Sequence, residues 1–128
     1  MHHAAPILIA IGRVLMAAMF IVEGAEKIRI YSGAQTYMEA HGVPGMLLPL
    51  VIVLELGGGI CVALGLFTRW WALAFAGFCL LAAILFHADF ADRLQMINFM
   101  KNITIAGGFL VLASAGPGAF ALDNLRKH

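Results

Sequence analysis

The sequence predicts an all-α integral membrane protein, an antiparallel four-helix bundle with a short interfacial helix between its first two spans. Three observations predict it. Apolar residues make up 62% of the chain and charged residues 12%, against about 45–50% and 25% in soluble domains. The apolar residues gather in four runs, at 6–28, 47–66, 70–87 and 97–114, each close to the roughly 20 residues that cross a bilayer as a helix. Short connections make consecutive spans antiparallel neighbours. The 128 residues are expected to form a single domain.

Pro6 suits the opening turn of the first helix, where its missing N–H costs nothing. This run continues past Arg13 for a full span and lacks the charged n-region of a secretory signal, so it is expected to stay as the first helix. His2 and His3 carry no weight in this reading. Between the first two spans lies YSGAQTYMEAHGVPG at 31–45. Ser32 followed by Gln35 resembles a capping box, and Gly42 with Pro44 supplies a stop. A short helix over 33–41, lying in the interface rather than crossing, is expected from its length and from Tyr31, Tyr37 and Met38. The second span, Leu47–Leu66, carries Glu55 near its middle and then Gly57, Gly58 and Gly59. Glycines in a membrane helix let a second helix approach closely. Trp70 and Trp71 open the third span as headgroup-level residues do. The fourth ends at Gly116-Pro117-Gly118, a strong stop.

Several function classes are excluded early. The formal net charge is +1 with no basic stripe, so nucleic acid is not an expected partner. Cys61 and Cys79 stand alone in apolar runs, which indicates neither a disulfide framework nor a zinc site. No HxxxH spacing exists and no metal is expected. The basic residues of the loops, with Arg69, Arg126 and Lys127 on one side and Lys27, Arg29 and Arg93 on the other, leave the topology balanced. We expect both termini to be cytoplasmic.

Antiparallel threading gathers the ionisable residues. The end of span one (Glu23, Lys27), the end of span three (His87) and the start of span four (Asn98, Lys101, Asn102) share one face of the membrane. Glu55 lies about 12 Å below that face at 1.5 Å per residue. Arg13 lies deeper, about 22 Å below it by the same rise. A guanidinium in lipid needs a partner, so an Arg13–Glu55 pair is expected, with Arg13, Glu23, Lys27, Asn98 and Asn102 completing a polar pocket. Interhelical glue explains such pairs as well as function does. The number of polar groups from four helices favours function. Glu55, His87 and Lys101 are the candidate catalytic residues, and Phe86, Phe90 and Phe99 the candidate ligand-facing aromatics.

GAEKI at 24–28, MEAHGVPG at 38–45, LELGGG at 54–59, ALGLFTRW at 63–70, FHADF at 86–90 and FMKN at 99–102 together resemble the DoxX family of small bacterial membrane proteins. The resemblance runs from Arg13 to about Asp123, and GAFALDNL at 118–125 resembles the tail of enterobacterial members. Glu26 interrupts the family's first glycine–lysine motif. The resemblance implies a multi-pass protein of the bacterial inner membrane and a quinone-linked redox role. The family name comes from a subunit of an archaeal terminal quinol oxidase, and relatives include a thiosulfate:quinone oxidoreductase subunit. No haem-ligating pair or dinucleotide fingerprint is present. No covalently bound cofactor is expected, and a quinone or phenolic molecule is the candidate ligand. A redox partner subunit or a second copy of the chain are the candidate protein partners. In that reading Glu55 carries the proton, and Lys101 or His87 donates a hydrogen bond to a ring carbonyl. The alternative is a non-enzymatic membrane scaffold or a transporter for a small amphiphile.

Overall fold

A computed structural model describes residues 4–127, except for the side chains of Arg126 and Lys127. His2 and His3, and the basic side chains at 126 and 127 weighed for topology, lie outside the described residues. The described chain is helical without strands. Four helices are long and apolar enough to cross a membrane. They are α1 (Ala5–Arg29), α3 (Gly45–Leu64), α4 (Thr68–Phe86) and α5 (Arg93–Ala115), with the shorter α2 (Tyr31–Ala40) between the first two.

Proline lies in the first turn of α1, and Lys27 and Arg29 occupy its last turn, where cations favour the helix dipole. A single residue, Ile30, separates α1 from α2. The expected capping box is not formed, because the residue at the N-cap of α2 is Ile30 and no side chain caps it. Gln35 instead donates to the Gly45 carbonyl at 3.2 Å, and Thr36 donates back to Ser32 O. The chain arrives from α1 already close to helical, so the linking residue serves both helices: Ile30 N–H bonds Glu26 O of α1, and Ala34 N–H of α2 bonds Ile30 O.

Two helices end in the same way. Gly42 (φ 78°) follows α2 and Gly65 (φ 74°) follows α3. In each case the next amide reaches back, Val43 N–H to Met38 O and Leu66 N–H to Cys61 O. This is the Schellman arrangement, whose left-handed residue is cheap only for glycine.

α3 is not uniform. A short 3-10 turn at Gly45–Leu47 leads into an α-helical turn, then a π-helical segment at Val53–Gly57, then α-helix to Leu64. A π turn inserts an extra residue and shifts the faces that follow by about 100°. The consecutive glycines, about 100° apart around the axis, face different neighbours. A methyl on Gly59 would lie 2.8 Å from Ile21 of α1, and one on Gly58 would lie 2.7 Å from the Trp71 ring of α4. Gly24 of α1 is as tight, its methyl falling 2.8 Å from the Leu56 backbone nitrogen. Gly57 departs from the expectation for the triplet, since nothing stands over it within 4 Å. Trp70 is exposed at its helix end, as an interfacial tryptophan is, whereas Trp71 packs partly inside.

α1 lies along α3, and α4 along α5, while α5 touches α1 at few points. Phe20, Phe75 and Phe109 bring three helices together, with ring centroids 4.4 Å (Phe20–Phe75) and 5.0 Å (Phe75–Phe109) apart. Around them Ala17, Val62, Ala72, Ala76, Cys79 and Ala106 are buried. In lipid this contact is driven by close packing, because the tails are as apolar as the core. α2 docks separately through Ala34 and Met38 on Leu48, with Phe86 alongside. Large apolar side chains such as Leu15, Val22 and Val111 remain outside, a surface suited to lipid rather than water.

Overpacking a tight contact costs about 1–3 kcal/mol. Gly24→Ala is therefore expected to lower the thermal unfolding midpoint in detergent. Gly77→Ala, where nothing lies within 4 Å, should leave it unchanged or raise it.

Candidate functional site

The π turn places Glu55 inward, 3% exposed. Its partner is Lys27, whose Nζ lies 2.8 Å from Glu55 Oε1. Lys27 also lies 3.7 Å from Glu23, one turn earlier on α1. Side-chain exposure falls along this trio, from 53% at Glu23 through 26% at Lys27 to 4% at Glu55. Two carboxylates thus share one ammonium, and the trio carries one excess negative charge unless it binds a proton. Cys79 of α4 is a free, buried thiol. Among the described residues no three His, Cys, Asp or Glu side chains gather as metal ligands would.

The expected Arg13–Glu55 pair is corrected. Arg13 is buried at the other end of the molecule, where it donates to the carbonyls of Pro117, Phe120 (2.7 Å) and Ala63 (3.3 Å). Asp123 adds an opposite charge nearby. The residues after α5 fold back instead of trailing away. Asp123 N–H bonds Gly65 O at 2.8 Å, and the Asp123 carboxylate accepts from Phe67 N–H (2.7 Å) and Thr68 N–H (3.0 Å). This tail ends in a 3-10 turn, Leu122–Lys127, and Asn124 braces it by donating to Gly118 O and Ala119 O. Gly65 leaves room for it, since a methyl there would collide with Ala121 Cβ. Backbone carbonyls three residues apart reach a guanidinium more readily than a carboxylate about 10 Å further along the axis. Sequence reasoning treated Gly116-Pro117-Gly118 as a stop and missed the return. The signal available was the polar Asp123–Asn124 pair directly after the apolar stretch at 119–122, together with a buried arginine needing acceptors.

The remaining candidates divide. Lys101 is exposed and lines a groove with Ile97, Met100, Thr104 and Ile105; the ion pairs of the trio are made without it. Asn102 donates to Asn98 O one turn back on its own helix. Phe90 and Phe99 meet edge to face at 5.0 Å. Phe86 stacks on Tyr37 at 5.4 Å and stands 5.1 Å from the His41 ring, so it secures α2 to the end of α4. Glu26, the residue that interrupts the family motif, points outward and pairs with Arg29.

His87 follows α4 directly, half-buried. Burial, and secondarily the positive charge available to His41, hold its imidazole below the usual histidine value.

Four apolar spans and a charged trio reaching into them define a multi-pass membrane protein. The chain belongs to the DoxX family, whose family model matches residues 8–88. It is 54% identical over 117 residues to inner membrane protein YqjF of Escherichia coli (strain K12), an alignment covering 91% of this chain and 90% of that protein. Inner membrane protein YphA of the same organism is 39% identical over 127 residues, covering 94% and 91%. No solved structure matches. These relatives and the four apolar spans make this chain a multi-pass inner-membrane protein.

Two predictions follow the geometry. Asp123→Ala removes a side-chain cap from α4, a loss of about 0.5–2 kcal/mol, so the unfolding midpoint in detergent should fall and limited proteolysis should cut the tail faster. For His87, a folded pKa below the unfolded value means that the fold favours the neutral ring. That stabilisation is complete above the unfolded pKa of about 6.5 and is lost as pH falls through the folded value. Lowering pH from about 8 to about 5 should depress the unfolding midpoint, and less so in His87→Asn, as thermal melts across that range will measure.

Proposed function

We propose that this protein is the membrane subunit of a quinone-linked redox system, which binds a quinone-type amphiphile in the bilayer and exchanges protons with it through Glu55. The observation that carries this reading is the graded trio: Glu23 at the wet end, Lys27 between, Glu55 inside. Ionisable groups within spans commonly mark proton relays. Reducing a quinone to a quinol consumes two electrons and two protons. The electrons are assigned to a redox centre on a partner subunit, and the protons enter from water at Glu23 and leave from Glu55. A carboxylate in a half-enclosed, water-poor setting is suited to that transfer. Lys27 keeps Glu55 oriented and its charge tolerable between transfers.

A second reading, a scaffold for a larger assembly, is favoured by Gly57 and Gly107. Each lies on a span with open space above it, where a partner helix could approach.

The test joins composition to proton chemistry. Protein purified in mild detergent should carry quinone detectable by mass spectrometry of its organic extract. Infrared difference spectra on quinone reduction should show a carboxylic-acid band that disappears in Glu55→Gln. A quinone-free preparation, or an unchanged spectrum in the variant, would sink the proposal. Loss of a larger complex in Gly57→Leu or Gly107→Leu, with Glu55→Gln intact, would favour the scaffold.

A further inference from the structure

Lys101 poses a problem that the trio does not solve. It is a cation on the outward face of a membrane span, and it makes no ion pair among the described residues. It stands four residues inside the apolar run beginning at Ile97, about 6 Å along the axis. A lysine stem can span that distance, so its ammonium reaches headgroup level while its methylenes stay in the apolar layer.

Below Lys101 the surface is grooved. One hollow of 370 Å³ is bounded by Ile97, Met100, Lys101, Thr104 and Ile105. A second, of 210 Å³, continues it between α5 and α1, sharing Thr104 and Ile105 and adding Leu15, Met16, Met19 and Gly108. The groove exists because α5 packs on α4 and touches α1 sparsely. From Ile97 to Gly108 it runs eleven residues, about 16 Å. That is close to half of a hydrocarbon core of about 30 Å, the depth of one leaflet.

We propose that the groove between α1 and α5 is a binding site for an anionic phospholipid, with one acyl chain lying along it and the phosphate held by Lys101. The match of length selects a chain anchored in one leaflet. The unpaired ammonium at the shallow end selects a headgroup with net negative charge, as basic positions between membrane helices do. A zwitterionic lipid brings its own ammonium beside Lys101 and gains less. The site is distinct from the proton trio, and the proposal does not depend on a quinone.

The test uses the full-length protein reconstituted in bilayers of equal phosphatidylglycerol and phosphatidylethanolamine, re-extracted in detergent, with retained lipid read by mass spectrometry. The wild type should enrich phosphatidylglycerol. Lys101→Gln should reduce that enrichment about fivefold, and Lys101→Arg should keep it. Thr104→Trp, which fills the groove, should lower retention of both lipids. Equal retention of the two lipids by the wild type, or enrichment unchanged in Lys101→Gln, would overturn the proposal. So would a wild-type dimer that Thr104→Trp disrupts without loss of lipid, since a second copy would then occupy the groove. Lys101 points away from the packed interior, and an unchanged melting midpoint in Lys101→Gln would confirm that the fold does not depend on it.

Discussion

A charge inside a bilayer has no water to turn to, and this protein is arranged around that constraint. Glu55 stands buried in a span, and Lys27 comes within 2.8 Å of it from the neighbouring helix. Leaving either charge alone in hydrocarbon would cost several kcal/mol. The pair therefore ties α1 to α3, and the close approach at Gly24 and Gly59 lets the short reach between them suffice. The π turn at Val53–Gly57 belongs to the same arrangement. It aims Glu55 at α1 while turning Gly58 towards α4.

The same constraint is met differently at the other end. Arg13 finds carbonyl oxygens rather than a carboxylate, and the chain brings them by folding its last residues back. The carbonyls it binds after α5 lie outside regular helix, where backbone acceptors are left over. Asp123 meanwhile covers two amides at the start of α4. One short tail thus serves a buried cation and a helix terminus. The two ends of the molecule have opposite characters: a rigid polar clamp on the tail side, and a trio graded from water to interior on the other.

That asymmetry bears on function. The clamp holds both terminal nitrogens of Arg13 on backbone carbonyls and the Asp123 carboxylate on backbone amides, leaving Arg13 Nε without a partner, which suits a structural role. The trio leaves two carboxylates for one ammonium, so its charge balance is open to a proton. α2, held to α4 by Tyr37 stacked on Phe86, covers the same end of the molecule. Lys101 belongs to neither group and turns its charge to the surroundings.

Periodicity and composition alone determined the all-helical class and the four spans. A run of some twenty apolar residues has one stable solution in lipid, a helix that satisfies its own backbone. The helix between the first two spans was legible for a similar local reason, in its length and its Gly42 stop. So was the Glu23–Lys27 pair, four residues apart on one helix. The partners of Glu55 and Arg13 were not legible. Depth along a straight helix can be counted from sequence, but rotation about its axis cannot once a π turn shifts the face, and no spacing rule announces that a tail will return. Which charges meet is a question of azimuth and of long-range chain path, and only the packed tertiary structure decides those.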